Sequence, residues 1–144
     1  MEAGRAINER IESGDVRPED LWVMSKLWNA EQDPQDVEPA CHRSLDATGL
    51  DQRFDVCMMR WPVHAEKESK LMSSNDGGEF EFKIVQSGNR TNLAKTHKAM
   101  EQLVHMGVVA NLGVSNFGSR QLAERLADCS TPPAVNEVER HPLL

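Results

Sequence analysis

The residues best placed for chemistry close apolar runs. In Leu21-Trp-Val-Met-Ser-Lys-Leu-Trp28 the only charge is Lys26, near the C-terminal end, and Phe54-Asp-Val-Cys-Met-Met-Arg-Trp61 likewise ends in a cation, Arg60, and a tryptophan. Val108-Val-Ala-Asn-Leu-Gly-Val-Ser115 ends in a hydroxyl followed by the amide of Asn116, and Ala134-Val-Asn-Glu-Val-Glu139 carries Glu137. A guanidinium is permanently charged and offers five donors, so Arg60 is a fixed cation that only donates. Ser115 and Asn116 together supply donor and acceptor, whereas Glu137 only accepts. Two plainer readings stand beside these. Lys26 can simply cap a strand at the surface, and Ser115-Asn116-Phe117 can be a capping motif that opens the following helix.

The elements that must carry these residues follow from hydrophobic spacing. Ala3, Ala6, Ile7 and Ile11 recur at helical intervals over residues 3 to 13, with Gly14 as the left-handed residue after the last turn. Leu21 to Trp28 reads as a buried strand with Trp22 in the core. Val37, Cys41, Leu45 and Thr48 define a second helix over 35 to 48, with Pro39 in its first turn and Gly49 as its stop. Phe54 to Trp61 is a second strand, closed by Pro62. From 63 to 92 the chain turns polar; Ser73-Ser-Asn-Asp-Gly-Gly78 signals a turn, and Glu79-Phe-Glu-Phe-Lys-Ile84 alternates at the strand period. That stretch is an insert holding a small hairpin packed by Phe80 and Phe82. Leu93, Thr96, Met100, Leu103 and Val104 return to helical spacing until Gly107, and a third strand runs from Val108 to Ser115. Gly118-Ser119 starts a last helix through Leu122 and Leu126, which Pro132-Pro133 breaks, and Ala134 to Glu139 is a fourth strand.

Helices and strands alternate four times, which predicts an α/β fold with a parallel sheet whose strands lie side by side in sequence order. An open doubly wound sheet and an arc of a barrel both satisfy the pattern. In either, Lys26, Arg60, Ser115 and Glu137 fall at the C-terminal ends of strands, where parallel barrels place their reactive groups.

With 144 residues, 39% of them hydrophobic, the chain is one domain. The net charge of −7 and scattered Lys and Arg residues argue against nucleic acid as a partner, and no apolar window approaches a membrane span, so a cytoplasmic protein is expected. Cys41, Cys57 and Cys129 form no Cys-x-x-Cys pair, and the five histidines show no metal-ligand spacing. No metal is expected. His42, His64 and His105 read as solvated.

Five segments in order resemble the aldo-keto reductases: Ser25-Lys-Leu-Trp-Asn29; Ser44-Leu-Asp-Ala-Thr-Gly-Leu-Asp51; Arg60-Trp-Pro62; Lys98-Ala-Met-Glu-Gln-Leu-Val104 with Gly113-Val-Ser-Asn-Phe117; and Asn136-Glu-Val-Glu-Arg-His-Pro-Leu-Leu144. Trp61-Pro-Val-His-Ala-Glu-Lys-Glu68 and the insert look most like fungal members of that family. The resemblance runs from about Gly4 to the end. It implies a partial eight-stranded (β/α) TIM barrel over 1–144, about strands three to six with their helices, interrupted by the insert at about 63–92.

The same resemblance implies hydride transfer from NADPH to a small aldehyde or ketone, with a tyrosine protonating the oxygen and a lysine lowering that tyrosine's pKa. Lys26 stands at the lysine's place and Arg60 at the place of a polarising histidine. Ser115 and Asn116 match a pair that binds the nicotinamide carboxamide, Glu137 replaces a glutamine there, and Trp28 and Trp61 align with aromatics lining the substrate pocket. His97 falls where the family usually has a tryptophan, and His141 belongs to the closing motif. The sequence contains no tyrosine, and the family's tyrosine and its aspartate would precede Gly4. The expectation is an NADP-dependent oxidoreductase that is incomplete and catalytically impaired. The alternatives are a catalytically silent remnant that holds a nucleotide or pairs as a subunit with a full-length relative, and a truncated product with no stable function, whose open sheet edges invite self-association. Lys26 and Arg60 on adjacent strands, about 4.8 Å apart, would also face each other with no carboxylate visible to offset their repulsion. A site that prefers an anion and a chance departure from the family pattern both account for that.

Overall fold

The computed structural model describes residues 2–49, 53–65 and 93–143. The insert hairpin, with Phe80 and Phe82, lies outside the described residues. Ten segments follow in order: helix α1 (Glu2–Glu12), a 3-10 turn (Pro18–Asp20), strand β1 (Met24–Leu27), a second 3-10 turn (Asn29–Glu31), α2 (Pro34–Thr48), β2 (Phe54–Met59), α3 (Leu93–His105), β3 (Val109–Ser115), α4 (Ser119–Asp128) and β4 (Val135–Glu137). The four strands form one sheet in the order β1-β2-β3-β4, every pair parallel, as alternation and sequence order predict.

Register assigns the faces. Lys26 pairs with Met58, Met58 with Gly113 and Gly113 with Val135, so these four share a row. Ser115 and Glu137 pair two residues further on, and side chains two apart on a strand point the same way. Leu27, Cys57, Met59, Leu112 and Val114 alternate to the opposite face, where they join Val37, Cys41, Met100 and Leu103 from α2 and α3 in the main core. Each fully buried aliphatic side chain there contributes about 1.5–3 kcal/mol of burial free energy.

The Lys26 ammonium hydrogen bonds the Glu137 carboxylate from β1 to β4. Across a flat sheet those strands would stand three spacings, about 14 Å, apart. Glu137 also lies two residues, about 6.6 Å, beyond the row of Lys26, so the flat-sheet separation is about 16 Å, more than the roughly 14 Å that extended lysine and glutamate side chains reach with the hydrogen bond between them included. The sheet must therefore curve, with Lys26 and Glu137 on its concave face. Gly113 lies between them in the row, and a Cβ there would stand 2.9 Å from Val135 Cγ1 and 3.0 Å from Met58 Cβ, so only glycine lets the strands close this tightly. The fold is an arc of a (β/α) barrel rather than a flat open sheet.

The helix ends follow the glycines. At the end of α3 the Gly107 N–H donates to Val104 O (3.0 Å) and the Val108 N–H to Leu103 O (3.0 Å), a Schellman turn with Gly107 at φ +75°. Gly14 closes α1 in the same way, with Gly14 N–H on Ile11 O and Asp15 N–H on Arg10 O, each 3.0 Å.

Four expectations need correction. The first strand is shorter than 21–28, and Trp22 is 65% exposed rather than core. Leu21 N–H closes the 3-10 turn on Pro18 O, and the register begins only at Met24, so Trp22 sits in the connection. Pro39 is in the second turn of α2, because Pro34 already occupies its start; the proline removes one internal hydrogen bond and the helix continues. Ser115-Asn116-Phe117 does not cap α4, whose N-cap is Gly118, with its N–H donating to Gln121 Oε1 at 3.0 Å. His64 is only partly solvated: its Nδ1 is buried without a hydrogen-bond partner among the described residues.

Candidate active site

The C-terminal ends of the strands are stitched together by the residues that follow them. Asn116, just past β3, adopts the left-handed conformation at φ +63°, which asparagine tolerates better than most residues because its short amide bonds locally. In that conformation its backbone N–H donates to Glu137 O (2.9 Å), while Nδ2 donates to Arg60 O (3.0 Å) and to Ser115 Oγ (3.1 Å). Ser115, 2% exposed, donates its hydroxyl proton to Glu137 O at 3.0 Å. One dipeptide thus ties together the ends of β2, β3 and β4. Asn136 adds a clasp, its amide donating to Phe117 O (2.9 Å) and accepting from the Phe117 N–H (3.4 Å).

Around this knot stand the charged residues. Lys26 and Glu137 form an ion pair with side chains 30% and 46% exposed, a setting in which such a pair contributes about 0–1 kcal/mol to stability. The value of the pair lies in position. It corrects the expectation that Lys26 and Arg60 face each other with no carboxylate, since curvature carries Glu137 across the concave face to Lys26. Arg60 is exposed just beyond β2, and its guanidinium carbon lies 5.4 Å from the Trp28 ring centroid, a cation–π contact. The two cations therefore have separate partners, a carboxylate and an aromatic face. Trp61, 43% exposed, is held through its carbonyl, which accepts from Gln32 Nε2 at 2.8 Å. Thr96 Oγ1 in turn donates to Gln32 O at 2.6 Å, tying α3 to this rim.

All seven residues singled out in the sequence therefore lie at or just beyond the C-terminal ends of the strands: Lys26 on β1 and Trp28 just after it, Arg60 and Trp61 after β2, Ser115 at the end of β3 and Asn116 just past it, and Glu137 on β4. Specific contacts join Lys26 to Glu137, Arg60 to Trp28, and Asn116 to Ser115, Arg60 and Glu137. Gln32 and Asn136 were not among them. Both are polar residues that work through main-chain partners distant in sequence, and no spacing rule exposes such a role.

The chain's relatives share this arrangement of elements. The aldo/keto reductase family model matches residues 1–144. Aldo-keto reductase family 1 member A1 of Mus musculus is 40% identical over 144 residues, covering 99% of this chain and 42% of the mouse protein. The protein of the same name from Cricetulus griseus is 39% identical over 145 residues, covering 43% of its length. Among solved structures, the aldose reductase of Giardia lamblia superposes with a TM-score of 0.81 at 31% identity, over 97% of this chain and 45% of that one. The Bombyx mori aldo-keto reductase in complex with NADP gives 0.79 at 26% identity, over 96% and 39%. This chain thus spans about two fifths of the length of these relatives. With a four-stranded barrel arc, polar groups at its strand ends and a family match from the first residue to the last, the chain belongs to the aldo/keto reductase family.

Proposed function

We propose that this chain is part of an NADP-dependent oxidoreductase that reduces aldehydes or ketones to alcohols, and that the chain by itself is catalytically impaired. The observation that supports this best is the gathering of Lys26, Arg60, Ser115, Asn116 and Glu137 from four strand ends onto one region of a curved sheet. The residues fit the nicotinamide end of the cofactor. Asn116 commits Nδ2 to Arg60 and Ser115 and keeps Oδ1 as an acceptor, and the half-exposed Glu137 carboxylate is a second acceptor; both suit a carboxamide N–H. When bound, the reduced nicotinamide supplies the hydride. The exposed Arg60 guanidinium offers its donors to the carbonyl oxygen, and Trp28 and Trp61 provide flat apolar walls for the substrate.

Impairment follows from two features. The chain holds no tyrosine to protonate the product oxygen, and Lys26, whose charge would otherwise favour a phenolate, is engaged by Glu137. Loss of a general acid costs roughly 10²–10⁴-fold in rate. The purified chain should therefore oxidise NADPH with a small aromatic aldehyde at least about 100-fold more slowly than the intact mouse relative assayed in parallel. Equal rates would refute the impairment. A cooperatively folded chain that leaves NADPH fluorescence unchanged would refute the oxidoreductase reading itself.

The Lys26–Glu137 pair also favours a second reading, a catalytically silent module that holds a nucleotide or pairs with a second copy. Trp22 and Met24 near β1 and Val135 and Val138 near β4 are 65%, 52%, 39% and 50% exposed, which places apolar surface on both outer strands of the described sheet. A cytoplasmic setting suits both readings; no helix among the described residues is long and apolar enough to cross a membrane.

A further inference from the structure

Outside the strand ends, the described residues hold one cluster of metal-ligating side chains. His97 and Glu101 stand four apart on α3, and Cys129 is the first residue after α4. A ring nitrogen of His97, a carboxylate oxygen of Glu101 and the Cys129 sulfur all lie within 4.8 Å of one another. His97 and Glu101 are 3% and 5% exposed, and Cys129 is half-buried.

Each donor is prepared by its surroundings. Glu101 Oε1 accepts the backbone N–H groups of Ser130 (2.7 Å) and Thr131 (2.8 Å), which fix the carboxylate. His97 Nε2 lies 2.9 Å from Thr131 O and 3.8 Å from Glu101 Oε1, an environment of acceptors that puts the ring proton on Nε2. Nδ1 then keeps its lone pair, and it is buried without a hydrogen-bond partner among the described residues. An imidazole pinned through one nitrogen by a backbone carbonyl, with the other nitrogen bare, has the outer-shell support of a metal ligand. A small pocket lined by Ala94, His97, Lys98, Asp128 and Cys129 gives access from solvent.

Imidazole, carboxylate and thiolate together select a borderline-soft dication such as Zn²⁺ over Mg²⁺ or Ca²⁺, which take oxygen ligands. One thiolate and one carboxylate balance its charge. Donors around tetrahedral zinc, bound at about 2.0–2.3 Å, stand roughly 3.3–3.8 Å apart, so the cluster has to contract by about 1 Å.

We propose that His97, Glu101 and Cys129 form a binding site for a single Zn²⁺-class ion that joins α3 to the turn between α4 and β4, with water from the pocket as the fourth ligand. Binding releases the Cys129 thiol proton to solvent and leaves the metal's oxidation state unchanged. The site uses no residue of the strand-end cluster and does not depend on the proposed oxidoreductase activity. His97 and Glu101 were hidden from a search of histidine spacing because the second ligand is a glutamate and the third comes from another element.

Co²⁺ titration of the reduced chain under anaerobic conditions tests this. The expected result is saturation at one equivalent, with the visible bands of tetrahedral cobalt and a near-ultraviolet thiolate charge-transfer band that Zn²⁺ removes. Cys129→Ser should abolish the charge-transfer band and weaken binding by more than the roughly 10–100-fold that loss of an outer-shell partner causes. In the unmodified chain, Zn²⁺ should protect Cys129 from alkylation, as read by mass spectrometry. No saturable cobalt spectrum, a charge-transfer band that survives in Cys129→Ser, or undiminished alkylation of Cys129 would each overturn the site.

Discussion

Glu137 reaches Lys26 with its side chain and accepts from Ser115 and Asn116 through its backbone, so its substitution separates two roles. Glu137→Gln keeps the main-chain bonds, removes the charge that holds Lys26 and supplies an amide donor. We expect several-fold tighter NADPH binding by fluorescence titration and a stability change within about 1 kcal/mol in urea, since the pair is partly exposed. Unchanged or weaker NADPH binding would contradict the assigned role. Asn116→Ala should cost about 1–3 kcal/mol, combining lost hydrogen bonds with a left-handed backbone, while Asn116→Gly should recover the backbone share. Equal losses in the two variants would show that φ at 116 carries no strain. Among the thiols, Cys41 and Cys57 are each 3% exposed, and the neighbouring Cys41 thiol together with burial pushes the Cys57 thiol up. Native metal-free protein should take one alkyl label, at Cys129, and three once unfolded. Lys26, Arg60, Ser115 and Glu137 were legible as polar endings of apolar runs. Their partners were not, because the Lys26–Glu137 contact spans 111 residues and exists only if the sheet curves.

Between elements, the packing turns on positions where a side chain is missing. A Cβ on Gly4 would lie 2.3 Å from Thr48 O and 2.6 Å from its Cα, both backbone atoms at the end of α2 that cannot rotate away. Gly4→Ala should therefore push α1 off α2 and cost about 1–3 kcal/mol, measured by urea denaturation. A neutral result would mean that α1 docks differently. The helices and the strand order were readable from the 3.6-residue and apolar-run patterns, and the glycine stops of α1 and α3 were placed correctly because a Schellman turn needs a residue that tolerates positive φ. Strand lengths were overestimated. Trp22 is as apolar as a core residue, but whether it pairs depends on the 3-10 turn before it and on where the ladder with β2 begins, neither of which hydrophobicity encodes.

For the whole molecule, curvature is what makes a site out of scattered strand ends, and the same arc leaves β1 and β4 as the outer strands of the described sheet. Sedimentation velocity should show concentration-dependent association that Met24→Lys reduces, since the residue is 52% exposed on β1. A strictly monomeric chain at all concentrations would remove the pairing reading. Pattern alone could not separate a flat sheet from a barrel arc, because both give alternating helices and strands; one long-range ion pair did so. The central claim is that these strand ends form the nicotinamide end of a cofactor site. NADPH fluorescence titration of the folded chain beside Asn116→Gly tests it most directly. The account predicts saturable binding, weakened about five- to tenfold in the variant by loss of one hydrogen-bond acceptor. Identical binding by both proteins, or none by a cooperatively folded chain, would contradict it.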